Sequence, residues 1–227
     1  MRLLMITDSH FRRMMRVPAI SSNPLLADSV MRVTYRIDVR HDHWPSDSQL
    51  VAGGYSDVLV SLGTNHCKAS GDEWATAAVE LARVLRHIED VLPHATLYCV
   101  LPPPSLSSRL SARVGLFNTL VRAKATGRAI LISPPSTLYD HDGELAPFYS
   151  DPREQGDDVP EKNKLHLNEL GMKVWFARIE TVLTAHSRDR FTIRTKGFFQ
   201  SHPKYLKENV NQRDIYNLIN SGHVIWL

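Results

Sequence analysis

The sequence is poor in the features that mark several large classes of protein. Its 227 residues hold two cysteines, Cys67 and Cys99, which make neither a disulfide framework nor a zinc-spaced cluster. No apolar run approaches the roughly 18 residues that a membrane-spanning helix needs. The opening, Met1-Arg2-Leu3-Leu4-Met5-Ile6-Thr7-Asp8, turns polar too soon for a secretory leader. The expectation is a soluble, cytoplasmic chain. There is no Gly-x-Ser-x-Gly elbow, no His-Glu-x-x-His pair and no phosphate-binding glycine loop. Hydrophobic residues at 43% and charged residues at 22% exclude a disordered tail, a collagen-like rod or a repeat array.

What is present is an alternation of short apolar runs with longer helix-period segments. Leu3–Ile6, the stretch around 30–39, 57–62, 95–101 and 129–132 read as five strands. In the second, Val33, Tyr35, Ile37 and Val39 alternate with polar residues. The fourth and fifth stop at Pro102–Pro104 and Pro134-Pro135, because proline cannot continue a ladder. Trp74, Ala78, Leu81, Ala82, Leu85 and Ile88 keep one apolar face at helical spacing. Residues 106–125 predict a second helix ending near Gly127, and a third follows Asn168 as N-cap. Strands alternating with helices of this length call for a mostly parallel five-stranded α/β sheet covered on both faces. Functional residues of such sheets collect at the carboxyl ends of the strands.

Three polar clusters fall where that rule points. Asp8-Ser9-His10 follows the first strand, Gly63-Thr64-Asn65-His66 the third, and Asn163-Lys164-Leu165-His166-Leu167-Asn168 precedes the last long helix. A serine hydroxyl needs a base to become a nucleophile, and His166 is the candidate base for Ser9. A tetrahedral intermediate needs preorganised donors, which the Ser9 backbone N–H and the Asn65 amide would supply.

These residues resemble the SGNH (GDSL-like) hydrolases. The family's opening Gly-Asp-Ser appears as Thr7-Asp8-Ser9, its Gly-x-Asn-Asp block as Gly63-Thr64-Asn65-His66, and its final block as Asn163 to Leu167 with Gly171. Phe117-Asn118, Asp142-Gly143-Glu144-Leu145 and Lys173-Val174-Trp175 add to the likeness. The opening Asp8-Ser9-His10-Phe11-Arg12-Arg13 also looks like esterase domains carried by some retroelements. The resemblance covers about residues 1–186. It implies a flavodoxin-like three-layer α/β/α sandwich that hydrolyses acyl or acetyl esters without a cofactor or metal. Small-molecule, glycan or lipid esters are the substrates implied. In that frame Ser9 is nucleophile, His166 base, Asn65 an oxyanion donor beside Gly63, and Asn163 occupies the position of the triad acid.

Three departures stand out. Asn163 is neutral, and an asparagine in place of a triad aspartate costs about 10⁴ in turnover in a serine protease; Asp157, Asp158 or a backbone carbonyl are the alternatives. The family's oxyanion glycine should follow the second strand, where Val39-Arg40-His41-Asp42-His43 has none; Gly53 or Gly54, close to the third strand, is the remaining choice. Thr7 and His66 replace Gly and Asp. His41-Asp42-His43 reads as a loop rather than a metal site, Cys67 as a quiet thiol, and Ser150–Lys162 as a mobile loop over the site. Arg12, Arg13 and Arg16 give either a solvated face or an anion contact.

Residues 187–227 carry seven Lys and Arg against three acids, a balance of +4, whereas the other 186 residues sum to −1. This C-terminal extension, with an expected strand at 191–194, a helix at 211–220 and the apolar end Val224–Leu227, reads as a docking or self-association segment, or a weak nucleic-acid contact. The function expected is a serine esterase. The alternative is a degraded SGNH fold kept as a structural or binding module, in a viral or mobile-element assembly.

Overall fold

The computed structural model describes residues 2–37, 44–69, 71–125 and 127–201, with side chains through His186. The chain divides after Glu180 into two units. In the first, five strands form one sheet: β1 (Leu3–Thr7), β2 (Ser29–Val33), β3 (Asp57–Ser61), β4 (Thr96–Val100) and β5 (Ile130–Ile132). Their order is β2-β1-β3-β4-β5, and every pairing is parallel. The expected mostly parallel sheet is therefore wholly parallel among the described residues.

Burial follows position in the sheet. Every residue of central β1 and β3 is buried, while edge strands β2 and β5 are mostly half-buried. This is why β1 and β3 read as continuous apolar runs. β2 ends earlier than its alternation suggested. Thr34 still donates its N–H to the Thr7 carbonyl at 2.8 Å, but its hydroxyl then bonds the Arg36 backbone in both directions. That side-chain turn takes the chain out of the sheet. Residues 38–43, including His41-Asp42-His43, lie outside the described residues.

Helices cover both faces. Before β2 come α1 (Ser9–Met14) and α2 (Pro18–Ser21); α3 (Asp47–Ala52) leads into β3, and α4 (Thr64–Lys68) leaves it. Then α5 (Glu73–Val91) joins β3 to β4, and α6 (Ser108–Lys124) joins β4 to β5. Leu4 and Ile6, Val58 and Val60, and Leu97 and Cys99 pack in one cluster with Leu50 of α3, Leu81 and Leu85 of α5, and Val114 and Phe117 of α6. The alternate residues Leu3, Met5, Leu59 and Tyr98 are equally buried but outside that cluster, as pleat alternation requires. Phe11 of α1 meets Trp175 of the last helix, α7 (Glu169–Ser201), at 6.0 Å between ring centroids.

The second unit, from Thr181, is described as the continuation of α7 to Ser201. Residues 191–194 are thus helical rather than a strand. No Gly or Pro interrupts residues 172–196, so a helix once begun propagates through the β-branched positions. The expected helix at 211–220 and the apolar end lie outside the described residues. No described helix is long and apolar enough to cross a membrane.

Candidate active site

The end of β1 is clamped from both sides. The Asp8 N–H donates to the Ser61 carbonyl of β3 at 3.1 Å, as Thr34 does to Thr7 from the β2 side. The Asp8 carboxylate then caps α1, accepting from the His10 N–H at 3.0 Å, and accepts from Thr64 as well. Burial raises the Asp8 pKa to about 6 against the pull of those hydrogen bonds. Ser9 is the half-buried first residue of α1, where a backbone N–H has no intrahelical acceptor. The strand order reverses at β1/β3, so Ser9 and the residues after Ser61 meet at the topological switch point.

Gly63 caps α4 with φ +127°, and a Cβ there would lie 2.4 Å from the Phe117 ring. Only glycine suits that backbone and that space. The turn it makes starts α4 at Thr64, whose side chain bonds Asp8, and places Asn65 in its first turn. Asn65 Nδ2 is buried and, among the described residues, has no hydrogen-bond partner. An unspent donor at a strand end is unusual, because leaving it so costs about 1–3 kcal/mol.

His166 is 9% exposed and comes from the segment that precedes α7. Ser105, after β4, donates its hydroxyl to the Lys164 carbonyl at 2.5 Å, and the Leu106 N–H reaches the same carbonyl at 3.2 Å. The His166 carbonyl accepts from Asp151 N–H at 2.9 Å, and Ser150 and Leu167 form an isolated antiparallel bridge. The imidazole Nδ1 lies 2.5 Å from Glu154 Oε1. Glu154 Oε2 accepts the backbone N–H groups of Leu165 and His166 at 2.8 and 2.7 Å. Burial pushes this carboxyl up, but the bonds from the His166 ring and backbone outweigh it and hold it below its ordinary value. An ionised carboxylate only accepts, so the Nδ1 that faces it is a donor. The ring stacks on that of His10, with centroids 5.0 Å apart and planes at 28°. The imidazole therefore lies against the residue next to Ser9.

Solved structures share this architecture. A protein described as an acylhydrolase from Bacteroides fragilis aligns with a TM-score of 0.58 at 13% identity, over 82% of this chain and 87% of that one. A GDSL-like lipase from Bacteroides thetaiotaomicron gives 0.57 at 10%, over 82% and 88%. A protein described as a platelet activating factor from Streptococcus pneumonia gives 0.54 at 14%, over 80% and 83%. The fold is that of the GDSL-like (SGNH) hydrolases. No protein-family model and no curated protein matches the chain.

In the GDSL-like frame, two of the expected site residues fall elsewhere. Gly53 caps the C-terminus of α3, ahead of β3, and Gly54 faces the Arg2 side chain. Both lie at the amino edge of the sheet, because the β2–β3 connection must enter β3 from that end. Asn163 is exposed in a single 3-10 turn (Glu161–Asn163), and the group facing Nδ1 is Glu154 instead. Asp157 and Asp158 are exposed too.

The first part of the stretch 150–162, residues 150–155, is pinned. Asp151 and Glu154 are buried, and Asp151 also accepts from Nε and Nη2 of Arg153, at 3.0 and 2.7 Å. Arg13 of α1 reaches Asp151 at 3.6 Å and Glu154 at 3.9 Å. Asp151-Pro152-Arg153-Glu154 carried the signal: an N-cap acid, proline at the first helical position and Glu two residues later mark a turn start. Cys67 is buried and its thiol is pushed up to about 12, chiefly by that burial. No cluster of three or more His, Cys, Asp or Glu able to hold a metal occurs among the described residues.

Proposed function

We propose that the chain is a serine ester hydrolase working through Ser9, His166 and Glu154. In this reading His166 Nε2 takes the Ser9 proton as Oγ bonds to the ester carbonyl carbon. The oxyanion that forms accepts hydrogen bonds from Asn65 Nδ2 and the Ser9 N–H. Collapse breaks the C–O bond to the alcohol, which leaves with the proton held on Nε2. Water, deprotonated by the same nitrogen, then releases the acid from acyl-Ser9. Glu154 keeps the ring in one tautomer and balances the imidazolium that forms transiently.

One observation carries the reading: a buried carboxylate holds the Nδ1 side of an imidazole that lies against the Ser9–His10 turn. The competing view, a catalytically silent fold kept as a structural module, draws on Asn163 and on the absence of a glycine after β2. Glu154 removes the first of these supports. A fluorophosphonate should label the protein stoichiometrically on Ser9, with labelling lost in Ser9→Ala and strongly slowed in His166→Ala. A folded protein that neither labels nor cleaves short-chain acetyl esters would leave the structural module as the better account.

A further inference from the structure

α4 is barely longer than one turn, yet it carries two groups of interest on one side. Asn65 and Lys68 stand three residues apart, and such residues are neighbours on a helix surface. Beyond Lys68 opens a cleft of about 340 Å³. Its other walls are the first turns of α6, with Arg109 and Arg113, and the segment before His166, with Pro160, Glu161 and Lys162. Four cations thus face one carboxylate. Arg113 is fixed in place, its guanidinium donating to the carbonyls of Cys67 at 3.3 Å and Ala69 at 2.6 Å. Lys68 is half-buried. The two carboxylates whose charges act on Lys68 are already hydrogen-bonded, Asp8 by His10 N–H and Glu154 by His166.

We infer that this cleft is an anion subsite, and that the esters the protein cleaves carry a carboxylate, sulfate or phosphate roughly one helical turn from the scissile carbonyl. The inference rests on the ester-hydrolase reading for its catalytic consequence and on the cleft alone for binding. Burial lowers the Lys68 pKa, opposed by Glu154 and Asp8. A cation penalised in this way gains most from an anionic partner. Arg109 and Lys162 are exposed at the rim and would select for charge with little role in the fold. One helical turn rises about 5.4 Å, a span that a single benzene ring bridges.

The test uses 4-acetoxybenzoate and its uncharged counterpart 4-acetoxybenzamide. Wild-type protein should favour the anionic ester about tenfold in kcat/KM, as two partly screened charge contacts allow. The preference should shrink in high salt. Arg109→Gln/Lys162→Gln leaves Lys68 and Arg113 in place and should cut the preference from about tenfold to about threefold, with amide-ester cleavage unchanged. Equal cleavage of both esters, or a preference undiminished by the double substitution, overturns the anion subsite and leaves the hydrolase reading standing. Binding of 4-acetoxybenzoate to Ser9→Ala, measured by calorimetry, separates the two claims. Salt-sensitive binding that the double substitution weakens, in a protein that cleaves neither ester, would keep the subsite and overturn the hydrolase. Neither cleavage nor binding would overturn both.

Discussion

The two sides of the candidate site are built by different means. On the Ser9 side, position follows from the sheet: β1 is buried between β2 and β3, both neighbours hydrogen-bond its last residues, and Asp8 begins the helix at once. On the His166 side there is no regular element. The segment is held by a handful of hydrogen bonds to Ser105, Leu106, Asp151 and Glu154. One side takes its precision from a ladder that a single substitution barely disturbs; the other depends on a few polar groups, each of which matters. The contrast predicts that substitutions on the His166 side reach activity directly, while those on the Ser9 side also reach stability.

The largest effect should come from the carboxylate. Glu154→Gln keeps an acceptor for the Leu165 and His166 N–H groups but no longer favours the proton on Nδ1, so ester turnover should fall about 10³–10⁴-fold. Asn163→Ala should stay within about twofold of wild type. Comparable losses in the two variants, read in parallel kcat measurements, would return the role to Asn163. Next comes Asn65→Ala, with an expected loss of about 10²–10³-fold in kcat and little change in KM, the signature of a donor used only in the transition state. A loss confined to KM would make Asn65 a substrate contact instead.

The smallest effect concerns stability. Asp8 has a native pKa of about 6 against an ordinary 3.8, chiefly through burial, so the folded state holds a proton that the unfolded chain releases. Its contribution is complete below pH 3.8 and is lost as pH rises through 6, about 3 kcal/mol in all. His10 works in the opposite sense. Burial, then the charges of His166, Lys68 and Arg13, hold it well below its ordinary 6.5, so its contribution is complete above 6.5 and is lost on acidification. Asp8→Asn retains a capping oxygen and removes only the first of these. Its unfolding free energy relative to wild type should rise by up to about 3 kcal/mol between pH 4 and 7 in urea titrations. A difference that stays flat across that range would show that Asp8 is not protonated in the native state.

The same contrast explains what was legible beforehand. Buried parallel strands have an unmistakable pattern, and prolines after β4 and β5 marked their ends, so the sheet and the polar clusters at its carboxyl edge could be read from the residues. Ser9, Gly63 and Asn65 lie directly after such strands, and His166 three residues before α7. Glu154 does not. It stands in an acidic, proline-containing stretch whose composition says solvent-exposed loop, and only the tertiary hydrogen bonds of residues 165 and 166 bury it. Gly53 lies ahead of β3 for a related reason: nearness to a strand in the chain does not say at which end of it a residue lies. Residues 191–194 have local β propensity but stay helical, because no helix breaker interrupts residues 172–196.

The Glu154 contact bears on how sequences of this kind are sorted. The carboxylate facing the imidazole is twelve positions away along the chain, yet it fills the place that a motif search would inspect three positions upstream. Both of its oxygens are occupied, one by the ring and one by the backbone that carries the ring. Discarding such a chain as inert on the strength of one neutral letter would confuse an address with its occupant.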